Sequence, residues 1–326
     1  MLERTKPYIL LWSEVALPRL VPNHASHNDV TNLFHRHLKG YIGEKKVDYH
    51  INFLRKKFTI LRGITLKNKD RTFQIDTLIL SNYAIFPLEV KNFANQITFD
   101  TDLNQFIRND GETETGFRHP ISQAEAQRMN LIQWLDEHNI HSIPIHYFVV
   151  IADPETVIKV TGEGGAKERI TKIVSHGEHI PQKILTLEKH FESQPYRKIN
   201  HVKLGQLIVK NAHTKYIDYC NRLKIQLKDI KPGVKCPACS EIGMVRYREK
   251  WLCQKCRHTS RTAHIPTIRE FLIIFGRGIS NRECRYFLQV ESRQLATRLL
   301  KSANLYYSHK YRRWFSKDIP YFLNKL

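Results

Sequence analysis

Residues 74–91 read QIDTLILSNYAIFPLEVK, and this stretch decides the fold. Two apolar runs flank a turn at Ser81–Asn82, so the pattern predicts two strands that pair with each other. Asp76 interrupts the first run, and Glu89 and Lys91 stand at the end of the second. Because side chains i and i+2 lie on one face of a strand, Glu89 and Lys91 should point the same way.

These charged side chains predict a site for a divalent metal ion. Magnesium prefers hard oxygen ligands and combines one or two carboxylates with water and phosphate oxygens. Asp76 and Glu89 would supply the carboxylates and Val90 a backbone carbonyl, for Mg²⁺ or Mn²⁺. Lys91 would orient or help to deprotonate the attacking water, and Glu44 could complete the acidic cluster or hold a metal-bound water. The pattern therefore indicates metal-dependent phosphodiester cleavage.

A simpler interpretation stays open at this point. Glu89 and Lys91 could form an ion pair at a strand end, with Asp76 in a turn, because an acid–x–lysine tripeptide is common. The apolar sequence around them favours the metal site, since unpaired charges are costly in apolar surroundings.

The flanking sequence predicts an α/β sandwich. A helical period runs over about residues 28–54, with a predicted division at Gly40 and Gly43, while residues 1–25 look irregular. The remaining predicted elements are strands at 58–66, 73–80, 84–90, 145–151 and 156–160 and helices at 121–137 and 211–227.

Several blocks in this region resemble the NERD (nuclease-related) domain. The blocks occur in the family's order over about residues 28–150, and they are Gly43–Glu44, 74–76, 86–91 and 119–123. That domain is regarded as a member of the PD-(D/E)xK nuclease superfamily. The resemblance therefore implies a restriction-endonuclease-like mixed sheet flanked by helices, and nuclease activity.

The resemblance also implies roles for particular residues. By this likeness Gln123 matches the glutamine of the family's Pro-x-x-Gln element, and the core acidic and lysine positions are Glu44, Asp76, Glu89 and Lys91. Pro87 departs from a regular strand because proline cannot donate a ladder hydrogen bond, which predicts an edge or bulged position.

Four of the six cysteines form two CxxC pairs. Thirteen residues separate the pairs, which are Cys236 with Cys239 and Cys253 with Cys256. This spacing predicts a zinc ribbon with one structural Zn²⁺, because four thiolates leave no open coordination position. A pair of redox-active CxxC units is the alternative, although no thioredoxin-like context accompanies them.

Positive charge is concentrated in the C-terminal part. Lys and Arg outnumber Asp and Glu by 26 to 23 in residues 1–200 but by 26 to 8 in residues 201–326. Such a field predicts a polyanion partner, and we expect double-stranded DNA, with RNA left open. A basic face kept for solubility is the alternative. A membrane surface is disfavoured because no lipidation signal accompanies the charge.

The end of the chain predicts a winged-helix-like module. Helices at 268–275, 280–288 and 292–303 precede an aromatic and basic segment at 305–315, which would form a wing. Residues 292–303 are the candidate recognition helix. A helical cap with a solvated basic face is the alternative.

The sequence thus predicts five regions and a function. The regions are an N-terminal extension (1–27), a nuclease-like domain (28–160), an accessory region and linker (161–231), a zinc ribbon (232–260) and a basic helix-turn-helix-like module (261–326). No apolar run reaches the about 20 residues of a transmembrane helix, so a cytoplasmic location is expected. The predicted function is that of a Mg²⁺-dependent nuclease. A non-catalytic DNA-binding or regulatory protein is the alternative, and the oligomeric state stays open.

Overall fold

The computed structural model of the protein describes residues 2–162, 165–213 and 216–316. The helices are α1 (Tyr8–Ala16), α2 (His27–Ile51), α3 (Pro120–Glu137), α4 (Ala166–Ile173), α5 (Ile180–Glu192), α6 (His201–Lys210), α7 (Tyr219–Arg222), α8 (His264–Phe275), α9 (Asn281–Leu288) and α10 (Arg293–Ser302). The strands of the first two sheets are β1 (Thr59–Lys67), β2 (Thr72–Leu80), β3 (Ile85–Lys91), β4 (Gln96–Asp100), β5 (Gln105–Asn109), β6 (Glu114–Phe117), β7 (Phe148–Ile151), β8 (Val157–Thr161) and β9 (Val174–His176). The later strands are β10 (Val234–Lys235), β11 (Ile242–Tyr247), β12 (Lys250–Leu252), β13 (Thr259–Ser260), β14 (Leu305–Ser308) and β15 (Arg313–Ser316).

The chain divides into two compact units. The first unit takes in residues 1–6 and 38–215, and the second takes in residues 7–37 and 216–326. Each has a hydrophobic core of its own. Among the described residues, no helix combines the length and apolar character needed to span a bilayer.

The first unit is built on a five-stranded mixed sheet. Its strand order is β1-β2-β3-β7-β9, with antiparallel pairing on the β1 side and parallel pairing from β3 to β9. Helices α2 and α5 cover one face, where Val47 and Ile184 pack against Phe86 of β3. Helices α3 and α6 cover the other face, where Trp134 and Ile208 pack against the sheet. The predicted mixed α/β architecture with helices flanking a sheet is confirmed.

A second sheet lies in the same unit, and only its strand β8 matches a predicted element, the strand at 156–160. Its order is β6-β5-β4-β8, and β8 runs parallel to β4. Phe99 and Phe106 from this sheet are buried with Ile151 of β7 and Ala124 of α3. Strands β4 and β8 directly follow β3 and β7, so the second sheet continues from the carboxyl ends of two parallel strands of the first.

Pro87 lies in an interior strand, so the expected edge position was wrong. It pairs with Leu78 of β2, while regular pairing of β3 with β7 begins only at Leu88. Before that point a single bridge joins Ile85 to Ile145. The parallel ladder is interrupted at the residue that has no N–H to donate, and proline is tolerated there.

The second unit contains a small four-stranded sheet, helices and a hairpin. The order of this sheet is β10-β11-β12-β13, and β14 pairs with β15 in the hairpin. Helices α1, α8, α9 and α10 share one core with the buried Trp251 of β12. Arg19 is fully enclosed there, donating to Glu270 at 2.6 Å and to the carbonyl of Lys231 at 2.9 Å.

Two local predictions were wrong. Residues 8–16 form helix α1 although prolines precede and follow it, because Tyr8 and Trp12 are buried and donate to carbonyls of α8 at 2.8 and 2.9 Å. Of the expected helix over 211–227, only the short α7 is α-helical among the described residues, since α6 ends at Lys210 and Thr214 and Lys215 lie outside the described part of the chain. Residues 317–326 of the predicted C-terminal module also lie outside the described part of the chain.

The predicted division at Gly40 and Gly43 was wrong as well, since α2 is continuous through both. Gly43 has a packing role: a Cβ atom built there would lie 2.5 Å from Cβ of Asn92. The Asn92 side chain donates to the carbonyl of Lys39 at 2.7 Å, so the loop after β3 lies tightly against this helix. A Cβ atom at Gly40 would meet no atom within 4 Å.

We expect Gly43→Ala to lower the free energy of unfolding by about 1–3 kcal/mol, because the added methyl group must displace Asn92 or the helix. Gly40→Ala is the matched control in the same helix. It should leave stability unchanged or raise it by up to about 1 kcal/mol, since alanine is the better helix former. Urea unfolding followed by circular dichroism compares the two. Equal stabilities would contradict the close-packing role of Gly43.

Candidate active site and cysteine cluster

Glu89 and Lys91 project from β3 toward helix α3. The ammonium of Lys91 lies 2.6 Å from Oε1 of Glu89 and donates to Oε1 of Gln123 at 3.0 Å. The second carboxylate oxygen, Oε2 of Glu89, accepts a hydrogen bond from Nε2 of Gln127 at 2.6 Å. The side chain of Glu89 is only 2% exposed, and that of Lys91 is 21% exposed. One buried carboxylate is therefore held by a lysine of its own strand and by a glutamine of the covering helix.

Asp76 joins this group through the backbone of β3. Its Oδ2 atom accepts a hydrogen bond from the Val90 N–H at 2.9 Å. The local strand geometry is irregular, because Gly63 stands opposite Asp76 between two regular pairs and has φ 62°. Leu61 and Ile64 are buried in the same core cluster although they stand three residues apart, so the alternation of side chains along β1 is interrupted at Gly63. Asp76 thus lies inside β2, whereas the simpler interpretation had placed it in a turn.

Glu44 is paired with an arginine from the start of the chain. Arg4 donates to Glu44 and, at 2.6 Å, to Asp48, which stands one helical turn further along α2. Its Nη2 atom also donates to the carbonyl of Asp76 at 3.1 Å and to Oγ1 of Thr77 at 2.9 Å. The Arg4 side chain is only 4% exposed. It therefore forms a buried link between α2 and Asp76 of β2, one of the predicted metal ligands.

The carboxyl groups of Glu44, Asp76 and Glu89 interact electrostatically. Burial raises the pKa of Asp76 well above its usual range, and the nearby charges of Glu89 and Glu44 raise it further. Burial also raises the pKa of Glu44, although Arg4 partly offsets this effect. Burial lowers the pKa of Arg4, but Asp48 and the other acids outweigh it and the net pKa is raised. The folded site therefore disfavours a negative charge on Asp76 in addition to those on its neighbours.

The structure brings all five predicted site residues into one neighbourhood and adds three more. Lys91 contacts both Glu89 and Gln123. Asp76 accepts a hydrogen bond from the backbone of Val90, and Arg4 connects Glu44 to Asp76. The residues that sequence reasoning missed are Arg4, Asp48 and Gln127. Only Gln127 had a local signal, because it stands four residues after Gln123 on a helix and must share its face.

The two CxxC pairs adopt matching turns. The N–H of Ser240 donates to the Cys236 carbonyl and that of Arg257 to the Cys253 carbonyl, both at 3.0 Å. Ser240 and Arg257 both have left-handed backbone conformations, with φ of 61° and 60°. Each turn therefore presents its two cysteines in the same way.

The four sulfur atoms converge. Sγ of Cys236 lies 3.7 Å from that of Cys256, and Sγ of Cys239 lies 3.6 Å from that of Cys253. All four lie within 4.8 Å of one another, and this is the one such cluster of His, Cys, Asp or Glu ligand atoms in the described part of the chain. In a tetrahedral site with Zn–S bonds of about 2.3 Å, neighbouring sulfurs are about 3.8 Å apart. The cluster can therefore hold a metal such as zinc.

Residues 39–152 match the family model of NERD, the nuclease-related domain. The match supports a nuclease-related domain in this part of the chain and confirms the predicted resemblance to that family. It ends just after β7, so it contains Glu44, Asp76, Glu89, Lys91 and Gln123 and excludes Arg4.

The other comparisons add little. No curated protein matches the chain. A solved structure with some likeness is the crystal structure of protein VC1899 from Vibrio cholerae, which has 10% sequence identity over 56% of this chain and a TM-score of 0.24. The chain covers 42% of that protein, and a likeness at this TM-score carries no argument about fold or function.

The raised pKa of Asp76 predicts a measurable pH dependence of stability. The folded protein retains a proton that the unfolded chain releases above the ordinary Asp pKa of about 3.9. Between that value and the raised pKa, increasing pH therefore costs the folded state up to about 1.4 kcal/mol per pH unit. In EDTA we expect Asp76→Asn to gain stability relative to the wild type between pH 4 and pH 8. The Asn side chain can still accept the Val90 N–H.

Urea unfolding of the two proteins across this pH range measures the effect. Taking the difference between them cancels the histidines, whose titration is common to both. A free-energy difference that does not change with pH would contradict the raised pKa of Asp76.

Proposed function

We propose that this protein is a Mg²⁺-dependent nuclease of the PD-(D/E)xK type that hydrolyses phosphodiester bonds in double-stranded DNA. One observation carries the proposal: a lysine and a glutamine hold the buried Glu89 carboxylate beside the half-buried Asp76, inside a segment that matches a nuclease-related domain. A purely structural ion pair would leave unexplained why a second carboxylate lies beside it, at the cost of a raised pKa.

The donor set fits Mg²⁺ or Mn²⁺. Each oxygen of Glu89 accepts one hydrogen bond and retains a lone pair, and Asp76 uses one oxygen for Val90. Burial, and then repulsion from Glu89 and Glu44, raises the pKa of Asp76, and a bound dication would relieve this repulsion. Asp76, Glu89 and the Val90 carbonyl would hold the ion, which would polarise the scissile phosphate and lower the pKa of bound water.

Lys91 would act on the water and the phosphate. Its ammonium has three N–H donors, and two of them form hydrogen bonds with Glu89 and Gln123. The third is available to orient the attacking water or to stabilise charge on a phosphate oxygen. Gln123 would fix the direction of this donor, and Gln127 would fix the Glu89 carboxylate. Glu44, held by Arg4, would complete the acidic side of the site.

We expect Lys91→Ala to slow cleavage of supercoiled plasmid in Mg²⁺ at least about 100-fold, because the group that orients water and stabilises charge is removed. Gel electrophoresis over time gives the rate. Lys69→Ala, an exposed lysine in the turn before β2, is the control and should cut like the wild type. DNA binding should be retained in both variants.

Equal rates for Lys91→Ala and the wild type would overturn the catalytic assignment. Binding of DNA without cleavage by the wild type would favour the second candidate function, a non-catalytic DNA-binding or regulatory protein. Cleavage confined to RNA would keep the chemistry and change the substrate.

We further propose that the four cysteines bind one structural Zn²⁺ in a zinc ribbon. Support comes from the two matching turns, the sulfur separations near the tetrahedral value and the hairpin of β11 and β12 between the pairs. A small sheet of this size gains folding free energy from the metal. A reducing compartment such as the cytoplasm would keep these thiols available.

Metal analysis should find about one zinc per chain in the reduced wild-type protein. Cys253→Ser should lose most of it, since one of four ligands is replaced. Cys284→Ser is the matched control, because this cysteine is buried outside the cluster. Zinc-free wild type, or equal zinc in the two variants, would contradict the ribbon.

The C-terminal elements support a DNA-contacting, winged-helix-like module. Helix α10 buries Ala296, Leu299 and Leu300 and exposes Arg293 and Arg298. Ser280 and Glu283 form a capping box at the start of α9, which fixes the turn between α8 and α9. The β14–β15 hairpin follows α10 as a wing would. We propose α10 as the helix that enters the major groove, where its arginines would contact phosphates and base edges.

A further inference from the structure

A basic cavity lies in the first unit, beyond the residues that match the family model. It has a volume of about 560 Å³, opens to solvent and is lined by residues of β8, α4, β9 and α5 and of the turn before α5. Apolar side chains form part of its wall, among them Ile158, Ile170 and Val174. None of the described residues that line it is Asp or Glu, and its basic residues are Lys159, Lys167, His176, His179 and Lys183.

Most of these basic groups have no acidic partner among the residues of the unit that the structure describes. Lys159, Lys167 and Lys183 form no ion pair with the described residues, and Lys183 donates instead to the Thr171 carbonyl at 2.6 Å. Within the described part of the chain, Nδ1 of His176 is buried and has no hydrogen-bond partner. His179 differs, since it lies 3.3 Å from the Glu178 carboxylate. The cavity therefore gathers positive charge that acidic side chains of the described residues leave largely unpaired.

Lys172 shows that this pattern is not general in the same region. It stands on α4, as Lys167 does, but pairs with Glu168 at 2.7 Å and does not line the cavity. An apolar wall with convergent cations is suited to an anionic ligand that also has apolar parts.

The strand register fixes the position of the cavity relative to the proposed catalytic lysine. Lys91 is paired with Ile151 of β7, which is paired with His176 of β9. All three residues stand at or near the carboxyl ends of neighbouring parallel strands. Two interstrand steps amount to about 10 Å. A duplex rises about 3.4 Å per nucleotide along its axis, but successive phosphates of one strand are about 7 Å apart because the strand also winds around that axis. His176 therefore lies about one to two phosphates away from Lys91.

We propose that this cavity binds the sugar–phosphate backbone of the nucleic-acid strand that is cut at Lys91, about one to two nucleotides from the scissile bond. This assignment rests on the proposed nuclease function and makes the first unit itself a nucleic-acid-binding surface. Lys159, Lys167 and Lys183 contact phosphate oxygens. The apolar wall packs against the sugars, and His176 offers a further polar atom to the backbone.

Binding of a fluorescent 20-base-pair duplex by the full-length protein in EDTA tests the proposal, since no cutting is required. Lys167→Ala and Lys183→Ala should each weaken binding about threefold to tenfold. Each should also reduce the slope of log affinity against log salt concentration by about 0.9, the value for one lost phosphate contact. Lys172→Ala on α4 and Lys189→Ala on α5 are matched controls outside the cavity and should bind like the wild type.

Lys167→Arg should restore binding, because it returns the charge at an exposed position where folding is not at stake. Equal affinities and salt slopes for the cavity and control variants would overturn the proposal. So would displacement of the duplex by a mononucleotide as effective as an oligonucleotide, because the cavity would then be a nucleotide site. Failure of the nuclease function would appear separately, as wild-type cleavage that Lys91→Ala does not change.

Discussion

The carboxylate of Glu89 is buried on one face of the sheet, with its side chain only 2% exposed. The other contacts of the candidate site follow from that burial. A carboxylate removed from water loses several kcal/mol of hydration free energy unless partners replace it. Lys91 on the same strand and Gln127 on α3 are these partners, and Gln123 in turn holds Lys91. Helix α3 is therefore fixed to the sheet by polar contacts as well as by Trp134 and its apolar neighbours.

The acidic side of the site depends on a second ion-pair network. Arg4 connects Glu44 and Asp48 of α2 to the backbone of Asp76 on β2. Asp48 also accepts from Arg62 of β1 at 2.9 Å, so the network spans a helix, two strands and the N-terminal segment. Removing one charged side chain from such a network leaves the opposite charges without a partner. The resulting loss of folding stability is larger than the net stability that the intact network contributes. Arg4 thus belongs to the site although it lies outside the segment that matches the family model.

Polar groups cluster where the sheet is irregular. Gly63 has a left-handed backbone opposite Asp76, and Pro87 stands where pairing with β7 is interrupted. Both irregularities lie within a few residues of the carboxylates. A regular antiparallel ladder would have directed alternate side chains strictly to opposite faces. The break at Gly63 lets Asp76 remain inside a strand and still meet the Val90 N–H.

The sequence by itself determined the features that depend on neighbours in the chain. The i and i+2 spacing placed Glu89 and Lys91 on one face, the CxxC spacing predicted the cysteine cluster, and the apolar runs predicted strands β1 to β3 within one or two residues. Tertiary structure alone decided the contacts of Arg4, which lies 40 residues from Glu44 and 72 from Asp76. It also formed helix α1 from a segment that looked irregular, and it assembled lysines from β8, α4 and α5 around one cavity. Local propensity and periodicity act over a few residues, whereas the burial of a charge is compensated by whichever group the completed fold brings near.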